Sequence, residues 1–419
     1  MSSYRIPQKN WRRIYAQFVD LWLVLHQKTH PQHTSLYYNR MQLTTLGNYP
    51  NKEQRRLRIR RIWQIIILLQ VNIFLVTLLL ALPESADNIV DFGQDTLWLI
   101  GCFYLSFKWH FFYFHADDVD EIVNDLEECH GMAVSGPAAS IIRTEQRAFF
   151  LMESVLGLVW HVGILMFCVL AISQPLWTDQ KLPFHAYYPF DLHDPTKHPI
   201  AHVFLYIWQS FFLFYNMACI LYTDVFASHL FAQLAINLKV LCIELTTFAK
   251  VHHRDEQQFR NELGRLVKFH QRTISRCWFN RNVNRTNEVF YAPLTMQMLT
   301  EFLMISLSTF EALAARHEPT VAARFIIFMV LSLSHLAYFC FFGDMVTEHS
   351  EKVAQSAYDA YQWSPNSRII RRDLIFMINR AQQPLCLAPS PFPPFNWVSY
   401  MSIIKQCYSI LTLLLESMD

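Results

Sequence analysis

The strongest constraint on this chain is a run of seven apolar stretches, at residues 62–82, 96–115, 148–172, 200–223, 292–312, 324–343 and 395–415. Each is close to the roughly 20 residues of helix that a hydrocarbon core about 30 Å thick requires. Inside such a core the backbone amides have no water to bond, so stretches of this length fold as helices. The first and fourth contain no charged residue, while the others carry Lys108, Glu153, both Glu301 and Glu311, Arg324, and Lys405 in turn. The expected fold class is an all-α polytopic membrane protein with seven transmembrane helices.

The charges between the stretches give the orientation, because Lys and Arg are enriched in loops that stay in the cytoplasm. If the first tail and the loops after stretches two, four and six are cytoplasmic, that side holds 29 Lys and Arg. The opposite side holds three, Lys181, Lys197 and Arg316. The cluster Arg55, Arg56, Arg58, Arg60 and Arg61 stands directly before the first stretch and fixes its entry. The amino terminus is therefore expected in the cytoplasm and the carboxyl terminus outside. This is the reverse of the topology of G-protein-coupled receptors, and it excludes them.

Four regions follow. Residues 1–61 form a cytoplasmic amino-terminal segment. Residues 62–343 hold the first six spans with extended cytoplasmic helices at about 224–290, residues 344–394 form cytoplasmic helices and a Pro-rich lead, and residues 395–419 form the last helix and an extracellular tail. In the third connection Leu234, Leu238, Leu241 and Leu245, then Phe259, Leu263, Leu266 and Phe269, recur at helical spacing with Gly264 as the only turn signal. Spans four and five are thus expected to continue as long cytoplasmic helices. The stretch 14–25 is interrupted by Asp20 and too short to span, so it is read as lying on the inner membrane surface rather than as a cleavable signal.

The composition, 53% hydrophobic and 16% charged, suits a membrane protein, and a net charge of +1 argues against a nucleic-acid partner. Nine Gly leave no phosphate-cradling loop, and no nucleophile elbow or His-x-x-x-His helix occurs, so neither an enzyme nor a cofactor is expected. The 18 His are scattered; His252, His253, His185, His193 and His198 read as solvated residues, with no metal site. No cysteine pair falls in the outer loops: Cys102, Cys168, Cys219, Cys340 and Cys407 lie in spans and Cys129, Cys242, Cys277 and Cys386 on the cytoplasmic side, as reduced thiols. The sequon Asn284-Arg285-Thr286 is cytoplasmic by the same count and should remain unmodified.

Charges inside spans are costly and are usually paired or functional. Lys108 and Glu153 lie toward the cytoplasmic ends of their spans, where an ion pair or snorkelling accounts for them. Lys405, about ten residues into the last stretch, must face water or an acidic partner, and a water-filled pathway beside the last helix would supply either.

The carboxyl-terminal third holds Cys340-Phe341-Phe342-Gly343-Asp344 with Ser350, Ala357, Tyr358 and Trp363, then Arg380-Ala381-Gln382-Gln383-Pro384-Leu385, and Tyr408-Ser409-Ile410-Leu411-Thr412-Leu413-Leu414. In these runs it resembles insect odorant receptors. Leu182-Pro183-Phe184 and Tyr188-Pro189-Phe190-Asp191 look like the family's second outer loop, and Asp224 and His270 fit as well. The resemblance implies an odorant-binding subunit of a ligand-gated, non-selective cation channel in the plasma membrane of olfactory neuron dendrites. Four subunits, some of them a shared odorant coreceptor, would surround a pore lined by the last helix. The chain lacks the coreceptor's large cytoplasmic insertion and its terminal sequence, so it reads as the tuning subunit of a heterotetramer.

Its partners would be a small neutral volatile such as an aromatic odorant, the coreceptor, membrane lipid and permeating cations. The ligand is expected among the outer halves of spans two, three, four and six, at Leu99, Phe103, Trp160, Ile164, Phe204, Trp208, Phe328, Met329 and Ser332, where aromatic and apolar surface favours a desolvated odorant. Matching Tyr408 to the tyrosine of the coreceptor's last helix places Leu411 and Leu415, one turn apart, at the outer hydrophobic gate, with Ile404 and Tyr408 beside the pore. A gustatory-type receptor channel is the neighbouring alternative and would carry a different final-helix pattern. A secondary transporter would show inverted repeats, and none is apparent.

Overall fold

The computed structural model describes residues 43, 46–47, 58–134, 139–176, 181–252, 255–275, 286–365, 367–388 and 392–416. The 14–25 stretch, the sequon at Asn284, Cys277, Pro389, Pro391 and Asp419 lie outside them, as do the side chains of Glu153, Leu415 and Glu416.

Among the described residues the fold is all helical. Ten helices follow one another: α1 (Arg58–Ala81), α2 (Ile89–Phe114), α3 (Ala116–Val134), α4 (Ala139–Ser173), α5 (Pro199–His252), α6 (Glu256–Ser275), α7 (Thr286–Ala314), α8 (Pro319–Trp363), α9 (Arg368–Ala381) and α10 (Trp397–Glu416). Each of the seven apolar stretches is helical over all but at most two end residues, in α1, α2, α4, α5, α7, α8 and α10. Four helical segments are long and apolar enough to cross a membrane by composition alone: Arg61–Glu84, Val155–Leu176, Pro199–Val251 and Pro319–Trp363. α2, α7 and α10 are diluted by Tyr, Trp, Ser, Thr and charged residues.

Helix starts obey local chemistry. The Asn88 side chain accepts from the Val90 amide, and Pro319 opens α8, where a missing amide hydrogen costs nothing. At the start of α10, Asn396 Oδ1 accepts from the Ser399 amide at 2.7 Å. α5 and α8 form the central pair, with α4, α6, α7 and α9 packed on them and α1 on α2. Apolar side chains of α1 such as Ile62, Leu69, Ile73 and Leu80 point outward.

One expectation is corrected. The third connection is not a continuous pair of span extensions: α5 runs on to His252, but the chain then turns back as the separate helix α6. Asp255 makes the turn, its side chain accepting from the Gln258 amide at 3.0 Å. Arg265 of α6 reaches Glu244 of α5 at 2.8 Å, closing a hairpin, while Gly264 sits inside α6 without breaking it. The leucine and phenylalanine ladder does mark helix, and it is buried in a core that the hairpin shares with α3, α8 and α9.

A cavity above a buried ionic cluster, and the last helix

The functional groups converge on a cavity of about 180 Å³ between α1, α2, α4, α5, α7 and α8. Its walls are largely apolar and include Phe74, Trp98, Cys102, Trp160, Ile164, Phe167, Phe212, Met304 and Phe328. The outer connection forms its roof. Phe184 inserts among Phe74 and Trp98, with ring centroids 5.5 and 4.3 Å apart. Gln209 of α5 holds it there, its Oε1 accepting from the Phe184 amide at 2.9 Å and its Nε2 donating to Tyr188 Oη at 2.8 Å. His185 is bound to Asp95 at 2.6 Å and lies 3.4 Å from Glu84, so it is not the free surface histidine expected. Those carboxylates raise its pKa above the ordinary value, the Asp95 bond contributing most.

The cavity floor is ionic. Lys108 of α2 pairs with Asp224 of α5, so of the two readings offered for it, an ion pair or snorkelling, the structure has the ion pair. His335 of α8 lies 3.3 Å from the second Asp224 oxygen and 2.5 Å from Glu301 of α7. Gln297 donates to Glu301 at 2.9 Å and accepts from Tyr104. Taking such charges from water is expensive, and the cluster persists because each charge has an opposite one beside it. Arg324, which also lines the cavity, donates to Gln174 and, at 2.7 Å, to Gln94.

Of the residues expected to bind ligand, Trp160, Ile164, Phe328 and Ser332 line the cavity. Leu99 and Trp208 pack beside it in the surrounding cluster. Phe103 and Phe204 turn outward, 52% and 68% exposed, and Met329 is half-buried away from the lining. Sequence reasoning missed Phe184, the first-helix Phe74 and the His335 cluster. The available signals were Lys108, Glu301 and Arg324 within spans and Asp224 among the family-like residues.

The family-like residues before α10 build its junction with the bundle. Ser350 Oγ accepts from the Leu385 amide at 3.0 Å, Thr347 Oγ1 donates to the Leu385 carbonyl at 3.1 Å, and the Phe395 amide bonds to Leu387 at 2.8 Å. Asp344 Oδ2 accepts from the Trp397 amide at 3.2 Å, anchoring the first turn of α10 to α8. α10 then packs on α7 and α8. Leu411 is buried on the same face as Ile403 and Cys407, whose thiol meets the Phe302 carbonyl of α7. Ile404 is half-buried and Tyr408 exposed.

Comparison with known proteins agrees with this arrangement. The family described as 7tm Odorant receptor matches residues 88–408. Odorant receptor 65a of Drosophila melanogaster is 38% identical over the whole of both chains, and Odorant receptor 47b of the same fly is 35% identical over 92% of each. The insect olfactory receptor OR5 from Machilis hrabei, solved in complex with eugenol, superposes with a TM-score of 0.73 at 16% identity, over 91% of this chain and 97% of its own, and so shares the fold. With its membrane-length helices, its roofed apolar cavity and these full-length relatives, the chain belongs to the 7tm odorant receptor family, as a membrane receptor rather than an enzyme.

Proposed function

We propose that this chain is the odorant-binding subunit of a ligand-gated, non-selective cation channel, assembled with an odorant coreceptor at the plasma membrane. The observation that carries the reading is the roofed, aromatic cavity built on α7 and α8, the two helices on which α10 rests. A small neutral volatile occupies it, gaining affinity from desolvated apolar surface and orientation from the polar groups at Asp224, Glu301 and His335. Seven helices cross the bilayer, with the amino terminus inside, as the unequal basic loops support.

Ligand shifts the channel only by binding the open arrangement better than the closed one. A displacement of α7 or α8 reaches α10 through the seam at Ile403, Cys407 and Leu411. The gate is at the outer end of α10, where Leu411 and Leu415 lie one turn apart. Leu411 is buried against the bundle, so it serves the gate from the seam, coupling α10 to α7 and α8, and the opposite face of the helix is the one left to the ions.

The test is whole-cell current during a panel of aromatic, ester and terpene volatiles, with the chain alone and with the coreceptor. A rapid cation current confined to the pair is expected. Saturable uptake without such currents would instead indicate a transporter.

A further inference from the structure

α10 has two unlike faces. Ser399, Ile403, Cys407 and Leu411, four residues apart in succession, are buried against the bundle. On the opposite side Ser402, Lys405 and Ser409 are exposed and Thr412 is half-buried. At 3.6 residues per turn these four fall within an arc of about 80° and form one polar stripe along the helix. A lipid-facing surface in this molecule looks different: on α1, Ile62, Ile66, Leu69, Ile73 and Leu80 make a wholly apolar stripe.

Lys405 is the decisive member. With α10 running Trp397–Glu416, it stands about 12 Å from one end and about 16 Å from the other. A lysine at that depth is costly in hydrocarbon and snorkels poorly to either surface. Among the described residues no ion pair includes it, in contrast to Lys108, which is paired with Asp224. Ser409 and Thr412 donate back to the Lys405 and Ser409 carbonyls of their own helix, so it is the unpaired Lys405 ammonium that requires water along this face.

Resting on the pore-lining role of the last helix proposed above, we infer that Ser402, Lys405, Ser409 and Thr412 form the face of α10 that meets the permeating ions, and that Lys405 is a fixed positive charge which selects against divalent cations. The physical cause is that the repulsion between a fixed charge and an ion scales with the ion's charge, so calcium is held back twice as strongly as sodium. For an ion about 6 Å away through water, removing the charge raises calcium permeability relative to sodium about threefold, and reversing it about tenfold. Each tuning subunit of the assembly thus sets the calcium content of the current it evokes.

The test uses the full chain coexpressed with the coreceptor. Reversal potentials under opposed calcium and sodium solutions are expected to shift toward calcium in Lys405→Gln, further in Lys405→Glu, and not in Lys405→Arg. Where a charge variant fails to reach the surface, K405C treated there with cationic and anionic methanethiosulfonate reagents supplies the readout, the two reagents moving calcium permeability in opposite directions. Unchanged permeability in the Gln and Glu variants, with S409C still modified and its current altered, would overturn the role of Lys405 while leaving α10 as the pore helix. Normal odorant currents with none of K405C, S409C and T412C modified would overturn the pore-lining reading itself.

Discussion

A Cβ placed on Gly343 would overlap the carbonyl oxygen of Phe395, a backbone atom that cannot swing aside. The lead into α10 therefore crosses α8 at the one position without a side chain. Gly343→Ala is expected to cost about 1–3 kcal/mol and to reduce the amount of receptor at the surface, read by surface labelling and by the melting temperature of the purified protein. Wild-type values of both would contradict the close crossing. His270 on α6 is a second position with a definite sign. It is buried, and burial, helped by the Arg380 charge, lowers its pKa to about 4. Its folded pKa lies below the unfolded one, so its contribution is intact above about pH 6.5 and is lost as pH falls toward 4. The full loss is on the order of 3 kcal/mol. His270→Gln should flatten the fall in melting temperature between pH 7 and pH 5, and an unchanged slope would count against a buried neutral imidazole.

The helices show what sequence can and cannot specify. Apolar length found α1, α4, α5 and α8, and the motif from Cys340 to Trp363 proved to be the junction chemistry that seats α10, with Asp344 and Ser350 as acceptors. The turn at Asp255 was not legible, because one capping side chain gives no break in an apolar ladder that continues on the returning helix. The cavity was half legible for a related reason. Lipid is as apolar as a protein interior, so an aromatic stripe does not reveal whether it faces one or the other. Trp160 and Phe328 turned inward, while Phe103 and Phe204 turned out. At the α10 seam, Leu411→Ala removes a buried side chain that shares its face with Cys407. It should change basal current or odorant sensitivity about tenfold, the effect of 1.4 kcal/mol on a two-state equilibrium. Wild-type gating and conductance in that variant would remove Leu411 from the coupling.

On the scale of the whole molecule, the apolar surface divides into two parts. The outward side chains of α1 and α4 belong to membrane-length helices and face lipid in this reading. Ile369, Ile375 and Phe376 on the short, charged helix α9, with Tyr358 and Trp363 at the end of α8, are exposed as well, and the proposed topology puts them on the cytoplasmic side. Large apolar groups exposed to water mark an interface, and the neighbouring subunit is the occupant that the channel reading supplies. Phe376→Glu should abolish copurification with the coreceptor while leaving the chain folded, whereas Leu69→Phe on the α1 face should leave copurification intact; retained assembly in the first would move the interface elsewhere.

Whether a volatile in the cavity opens the channel is measured most directly by ranking active odorants by size in cavity variants coexpressed with the coreceptor. Ser332→Leu narrows the lining and Phe328→Ala widens it. The first is expected to favour smaller odorants and the second larger ones, by about fourfold per methylene gained or lost, with surface expression and responses to a coreceptor-directed agonist unchanged. If both variants reach the surface and keep the wild-type ranking, odorants do not act from this cavity.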